Sequence, residues 1–299
     1  MAQTFNPDNV LVHERKDGTI PGDVNKLIIE EIINGSQIMR LGKYEEMKKK
    51  KRTFEYYAEG PGAYWIGEGQ KIQTSTAKWI QVEMEAKKLG VIIPVSREFL
   101  QYKVPDFFNE VKPKIAEAFY KKFDEAAILN VNNPFAQSIE ESVASTNQIV
   151  VGDLTYSNIL ALEDFVTAAD MDVKGFASNR KNRSALRGAN EIVNGVITER
   201  LYDRKDNTLD GVPVAELKSA SFEKGTLYGG DMDHIRYGIP FAINYKISEE
   251  ATLSTLTNED GTPINLFEQD LVALRAIMDI GFMIIKDEAF AKIEAAPIP

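Results

Sequence analysis

The chain has 299 residues, a formal net charge of −10, no cysteine and two histidines. Without cysteine it can form no disulfide, no thiolate nucleophile and no site in which cysteine binds zinc or an iron–sulfur cluster. The acidic balance argues against a protein that grips nucleic acid through a dense basic surface. We expect no signal peptide and no membrane span, because no apolar run approaches the ~20 residues that cross a bilayer. At ~150 residues per domain, the length predicts about two domains.

The first 43 residues predict an extended arm with one short helix, because only residues 25–33 carry apolar side chains at helical spacing. An arm of this kind buries little apolar surface by itself. It therefore needs another surface to lie on.

A basic run and two alternating segments follow the arm. The run consists of five consecutive cations, which are Lys48, Lys49, Lys50, Lys51 and Arg52. Alternation over 54–58 and 79–95 predicts the two strands of a β-ribbon, and a change of phase at 87–90 predicts a bulge or a bend. A two-stranded ribbon is marginally stable alone in water, so it must lie on something else.

The basic run allows three interpretations. We favour contact with an acidic patch on a neighbouring copy of the same acidic chain. A solvated loop tip comes next, and nucleic-acid contact comes last. Tyr64, Trp65 and Trp79 supply aromatic anchors on the same ribbon, which has no core of its own. We expect these three aromatic residues and the basic run to form an inter-subunit contact.

Residues 106–130 give the strongest helical pattern, with Asp106 as the expected N-cap and Pro113 expected to kink the helix or to mark where its regular part begins. Four residues predict a charged outer face: Lys121, Lys122, Asp124 and Glu125. Residues 152–253 mix helical and strand patterns, with helices predicted over 157–169 and 180–190, and predict a second, α/β domain. Residues 271–285 predict a long strand, since one alternating phase is entirely apolar.

No motif for catalysis or metal binding is complete. The His-Glu pair at 13–14 is not followed by a histidine at position 17, and the segment 256–267 lacks the terminal carboxylate of a calcium loop. His234 could form an acid–base dyad with Asp231 or Asp233. We prefer a turn in which these aspartates bond the local backbone. We therefore predict a non-enzymatic protein with no catalytic residue, no cofactor and no metal.

Five segments, in their order along the chain, resemble the major capsid proteins of tailed bacteriophages, of the Hong Kong ninety-seven type and nearest to phages of Gram-positive hosts. They are FNPDNV at 5–10, PGAYWIGEGQK at 61–71, KLGVIIPVSREFL at 88–100, IAEAFYKKFDEAA at 115–127, and 258–293 with LFEQDLVALRA and KDEAFAKI. The resemblance implies an α+β fold with four parts. These are an N-terminal arm (1–43), an extended two-stranded loop (44–90), a peripheral domain with a long spine helix (91–151 and 254–299) and an axial α/β domain (152–253).

The resemblance also implies a function. The subunit would assemble with itself as pentamers and hexamers into an icosahedral head that encloses double-stranded DNA without sequence-specific binding. Its other partners would be a portal protein and a separate scaffolding protein, although the chain could instead be already trimmed of a scaffolding segment. Assembly would take place in the bacterial cytoplasm, and the product would be the virion capsid. The alternatives are an encapsulin-type nanocompartment shell and, more remotely, a cytosolic two-domain hydrolase.

Overall fold

Two β-sheets and a 33-residue helix are the main elements of the structure. The computed structural model describes residues 32, 35–59, 71, 78–241, 243–258 and 262–296. The helices are α1 (Gln37–Leu41), α2 (Arg97–Leu129), α3 (Ile139–Thr146), α4 (Tyr156–Ala168) and α5 (Arg183–Gly188). The predicted helix at 25–33 lies almost wholly outside the described residues.

The strands of the first half are β1 (Lys43–Tyr44), β2 (Lys51–Glu59), β3 (Lys78–Ser96), β4 (Ile149–Val151), β5 (Gly175–Asn179), β6 (Asn190–Val193), β7 (Val196–Arg200), β8 (Tyr202–Asp203) and β9 (Thr208–Leu209). Those of the second half are β10 (Val212–Leu217), β11 (Leu227–Gly230), β12 (Ile235–Gly238), β13 (Asn244–Ser248), β14 (Thr252–Thr257), β15 (Pro263–Asn265), β16 (Leu271–Ile284) and β17 (Phe290–Glu294).

The larger share of the core lies under a six-stranded sheet. Its strands run in the order β1-β12-β16-β3-β2, with β13 also paired to β16. The long strand predicted at 271–285 is confirmed as β16, whose apolar phase is buried. Helix α2 packs on this sheet through Ile115, Phe119 and Phe123, which belong to the same buried cluster as the β16 side chains.

The predicted bulge at 87–90 is wrong. Strand β3 pairs with β16 in unbroken antiparallel register, from Ala86 opposite Gly281 to Ser96 opposite Leu271. The apolar phase changes because the covered face of the strand changes: Met84 belongs to a small cluster at the base of the ribbon, whereas Leu89 packs against the main core. Successive residues of a strand point to opposite faces, so this change needs no extra residue.

Helix α2 begins earlier than predicted, at Arg97 rather than near Asp106, so Asp106 is not an N-cap. Its regular part also runs through Pro113, which does not mark its start. At 1.5 Å per residue the helix is ~50 Å long. The start is fixed by contacts that are distant in sequence: the Arg97 backbone N–H donates to the Asp270 carbonyl (3.0 Å), and the Arg97 guanidinium pairs with Glu249 (2.9 Å). A local pattern cannot reveal such contacts.

The second sheet has seven strands in the order β4-β17-β11-β5-β10-β9-β8. Helix α4 confirms the helix predicted over 157–169. The helix predicted over 180–190 is shorter, because a 3₁₀ turn precedes α5 and strand β6 begins at Asn190. The last strand, β17, pairs with β11 and β4 and so lies within this sheet. The four boundaries of the predicted parts stay a prediction.

Candidate inter-subunit contact site

The ribbon formed by β2 and β3 starts from a fixed point on the six-stranded sheet. Strand β1, just before it, pairs in parallel with β12. The ring of Tyr44 lies edge-on to the ring of Tyr237, with 5.7 Å between their centroids. The Lys43 ammonium lies 3.0 Å from the Asp233 carboxylate. These contacts hold the chain where it enters the ribbon.

A small apolar cluster attaches the base of the ribbon to β16. Its buried members are Met47, Phe54, Met84, Ala86 and Met283. The cluster fits closely because residue 281 is glycine: a Cβ there would lie 2.9 Å from the Met47 sulfur and 3.0 Å from a Met84 carbon. Both distances are too short for an unstrained contact. The base of the ribbon is therefore packed against its own subunit.

The basic run lies at this base, with its first three lysines in a bend and its last two residues at the start of β2. The register of β2 and β3 places Lys51 opposite Glu85, and the Lys51 ammonium reaches Glu83 at 2.9 Å. The hydrogen bond to Glu83 raises the pKa of Lys51, and the charges of Glu83 and Glu85 add to this effect. The Lys50 ammonium lies 3.8 Å from Glu85. Part of the run is thus neutralised within its own chain.

These carboxylates were not predicted as partners of the basic run, although the sequence contains a signal for them. Glu83, Glu85 and Lys87 alternate along β3, so they share one face of the strand. A hydrogen bond from Lys87 lowers the pKa of Glu85. Once the two strands are known to pair, this acidic face is the expected neighbour of the basic run.

The lysines remain available to another molecule despite these pairs. The side chains of Lys48, Lys50 and Lys51 are 83%, 65% and 59% exposed. Exposed ion pairs contribute only about 0–1 kcal/mol, so a carboxylate from a neighbouring subunit can replace them at little cost. Within the part of the chain that the structure describes, no carboxylate lies within 4.0 Å of the Lys49 ammonium. The run therefore presents positive charge on the surface of an acidic chain.

Arg52 is held in its own subunit by an aromatic ring and a backbone carbonyl. Its guanidinium lies over the Phe54 ring, 4.5 Å from the centroid, and donates a hydrogen bond to the Glu46 carbonyl. A cation over an aromatic face contributes about 0.5–1 kcal/mol at an exposed site. Arg52 thus stabilises the base of the ribbon.

The aromatic anchors are only partly described. Trp79 lies in β3, where its backbone is opposite Tyr57. Tyr64 and Trp65 lie outside the described residues. Their role in an inter-subunit contact stays a prediction.

His234 ends a 3₁₀ turn, as the preferred interpretation predicts. The Asp231 carboxylate accepts a hydrogen bond from the Asp233 backbone N–H at 3.0 Å. Burial lowers the pKa of His234, and hydrogen bonds from Lys174 and Lys43 lower the pKa of Asp233 to about 2. Asp233 is thus an ionised carboxylate that pairs with two lysines of its own subunit.

Among the described residues, no group of three or more histidine, aspartate or glutamate side chains is arranged to hold a metal ion. None of the described helices is both long and apolar enough to cross a membrane.

The subunit thus combines a long helix, two sheets and the ribbon formed by β2 and β3. Residues 17–295 match the phage capsid family. The chain belongs to the phage capsid family. It is 52% identical, over 98% of its length and 90% of the relative's, to the major capsid protein of Staphylococcus phage 80alpha.

Solved structures share this fold. The match to a structure from Microbacterium phage Oxtober96 has a TM-score of 0.70 at 23% identity and covers 87% of this chain and 91% of that one. The match to the capsid of an empty GTA particle computed with C5 symmetry has a TM-score of 0.66 at 15% identity and covers 88% and 90%.

These similarities confirm the α+β phage capsid fold and the identification of the chain as a phage major capsid protein. They favour neither a nanocompartment shell nor a hydrolase. A major capsid protein associates with itself and is a component of the virion capsid.

Proposed function

We propose that this chain assembles as pentamers and hexamers into the icosahedral head of a tailed phage, around double-stranded DNA. The observation that carries the proposal is the 52% identity to a phage major capsid protein over nearly the whole chain. The work of such a protein is self-association. Its affinity comes from many weak contacts that symmetry repeats and multivalency adds together.

The ribbon supports this proposal because β2 and β3 remain paired beyond its anchoring cluster, from Glu55 opposite Gln81 to Glu59 opposite Lys78. A two-stranded ribbon gains stability when it lies on another surface, and a neighbouring subunit supplies one. We assign the first contact to the exposed lysines Lys48, Lys49 and Lys50, which meet carboxylates of the next acidic subunit. Trp79, Tyr64 and Trp65 then continue the contact along the ribbon.

The net charge of −10 supports enclosure of DNA rather than tight binding to it. Like charge between the shell and the phosphates keeps the packaged DNA free to move during filling. The other partners of the proposal are a scaffolding protein during assembly and a portal protein at one vertex. Assembly takes place in the bacterial cytoplasm.

Electron microscopy of the purified chain, with and without the scaffolding protein of the same phage, tests the proposal. We expect closed shells tens of nanometres across, or rings of five and six subunits. Monomers that persist with the scaffolding protein present would contradict it. Shells that contain a packed enzyme instead of DNA would support the nanocompartment.

A further inference from the structure

A small hairpin stands apart from both large sheets. Strands β6 and β7 pair with each other and with no other strand in the described part of the chain. Asn194 and Gly195 connect them with φ angles of 54° and 81°. Two positive φ values are what a tight two-residue hairpin turn requires, and asparagine followed by glycine is the preferred pair. The turn is therefore well defined.

The tip of this hairpin is apolar and exposed. Ile192, Val193, Val196 and Ile197 are 62%, 47%, 65% and 45% exposed. Ile192 pairs with Ile197, and Val193 pairs with Val196. Because directly opposite residues share a face and successive residues do not, the tip has two faces. We call them the isoleucine face (Ile192 and Ile197) and the valine face (Val193 and Val196).

Two exposed apolar faces are unusual for a hairpin. An antiparallel hairpin that packs on its own protein buries one apolar face and presents a polar one to water. Here neither face is covered by the described part of the subunit, and an isolated hairpin is marginally stable in water. An arrangement that covers both faces needs a partner on each side.

The charges of the hairpin lie away from its tip. Residues 192–197 contain no charged side chain. Glu199, nearer the base, accepts a hydrogen bond from the Tyr156 hydroxyl at 2.9 Å, and Glu191 accepts one from Thr198. Copies of a chain with a charge of −10 repel each other, so an uncharged tip is where they can approach most closely.

We propose that the 190–200 hairpin inserts between two neighbouring copies of this chain in a ring, with the isoleucine face of each copy against the valine face of the next. The proposal rests on the proposed function, since a ring gives every subunit two neighbours. A contact between two different faces is head-to-tail, and it closes into a ring when the rotation between subunits allows. Each face is therefore covered by the same hairpin of a neighbouring copy.

The absence of native cysteine makes a crosslinking test specific. The double variant I192C/V196C places one thiol on each face. After mild oxidation of assembled particles, a denaturing gel should show a ladder of crosslinked chains that ends at five or six subunits. The single variants I192C and V196C should remain monomeric on the gel. Dimers from a single variant would mean that like faces meet, and would overturn the proposal.

The crosslinking result separates the two hypotheses. A double variant that forms normal particles without any crosslink overturns the hairpin contact but leaves the capsid function intact. Wild-type protein that forms no particle contradicts the function itself. These two failures are therefore distinguishable.

If the cysteine variant does not assemble, threonine variants test the same hairpin contact. I192T/I197T and V193T/V196T should each reduce particle yield at least tenfold. An equal mixture of the two should give dimers but no closed ring. The first variant keeps its valine face and the second keeps its isoleucine face, so these two faces can form one contact but no further contact can follow. V151T, at an exposed valine of strand β4, is the matched control and should assemble normally. Normal yield from both double variants would overturn the proposal.

Discussion

The hydroxyl of Ser36 donates a 2.6 Å hydrogen bond to the carboxylate of Asp124, 88 positions further along the chain. The same carboxylate accepts hydrogen bonds from the backbone N–H groups of Gln37 (2.9 Å) and Ile38 (3.3 Å). Ser36 in turn caps helix α1 by accepting from Met39. A side chain of the long helix thus holds the end of the N-terminal segment.

Replacing this carboxylate should destabilise the subunit. In D124N, an amide NH₂ group takes the place of one acceptor oxygen and faces backbone donors in a buried site. Loss of a buried hydrogen bond to a charged group costs about 1–3 kcal/mol. We expect a decrease of that size in the free energy of unfolding, measured by denaturant titration at pH 7. D172N, at an exposed loop position, is the control and should change the free energy little.

The ionisation of Asp124 should make the stability of the subunit depend on pH. Burial raises the pKa of Asp124 to about 6, against the opposing effect of its three hydrogen bonds. Between pH ~4 and 6 the folded state therefore binds more protons than the unfolded state, and the stability contributed by this group rises as the pH falls. We expect the free-energy difference between wild type and D124N to increase from pH 7 to pH 4. A difference that stays constant over this range would exclude a raised pKa.

Asp124 also shows the limit of sequence reasoning in this chain. Helical spacing assigns it to the charged outer face together with Lys121, yet it is 5% exposed. Lys121 does lie outside, where it pairs with Glu117 at 2.7 Å. The N-terminal segment covers one edge of the charged face, and no pattern within the helix shows where a distant segment docks. Gly35 belongs to the same docking, because a Cβ there would clash with the ring of Tyr120.

Strands were predicted well where burial alone determines the pattern. Strand β16 was recognised because its alternating apolar phase is buried in the middle of a sheet. No strand was predicted for the 190–200 hairpin, since its apolar residues occupy both faces and give no alternation. The acidic partners of the basic run were missed because their position depends on strand register. Local periodicity predicts single helices and strands. Strand register and the docking of a distant segment depend on the element that each one packs against.

Replacing Glu163 should stabilise the folded state by an amount that depends on pH. Burial in helix α4 raises its pKa to about 7, with further contributions from the charges of Asp210 and Asp164. Above pH 7 the ionised carboxylate therefore destabilises the folded state. E163Q should raise the free energy of unfolding at pH 8 by up to about 1 kcal/mol, a value reduced for partial exposure. At pH 5, where Glu163 is already protonated in the folded state, the gain should be much smaller. An equal gain at both values would attribute the effect to something other than ionisation.

Arg52 and the lysines beside it should respond differently to mutation. R52A removes the contact with Phe54 and the hydrogen bond to Glu46, so the melting temperature of the subunit should fall, with a loss of about 1 kcal/mol. R52K tests the same contact with the charge retained, and should recover only part of the lost stability because lysine lacks the planar guanidinium. A melting temperature that is unchanged in R52A would contradict the structural role of this residue.

The triple variant K48Q/K49Q/K50Q should instead impair assembly and leave the monomer stable. These side chains are exposed, so their ion pairs contribute little to folding, whereas the proposed inter-subunit contact would pair each of them with a carboxylate of an acidic neighbour. We expect a severalfold lower particle yield by light scattering and electron microscopy, with an unchanged melting temperature. The wild-type yield should also fall as salt rises, because the attraction is screened over ~10 Å at 0.1 M. K181Q/K205Q/K224Q removes three exposed lysines elsewhere and controls for net charge. Equal yields from the two triple variants would mean that the basic run makes no specific contact between subunits.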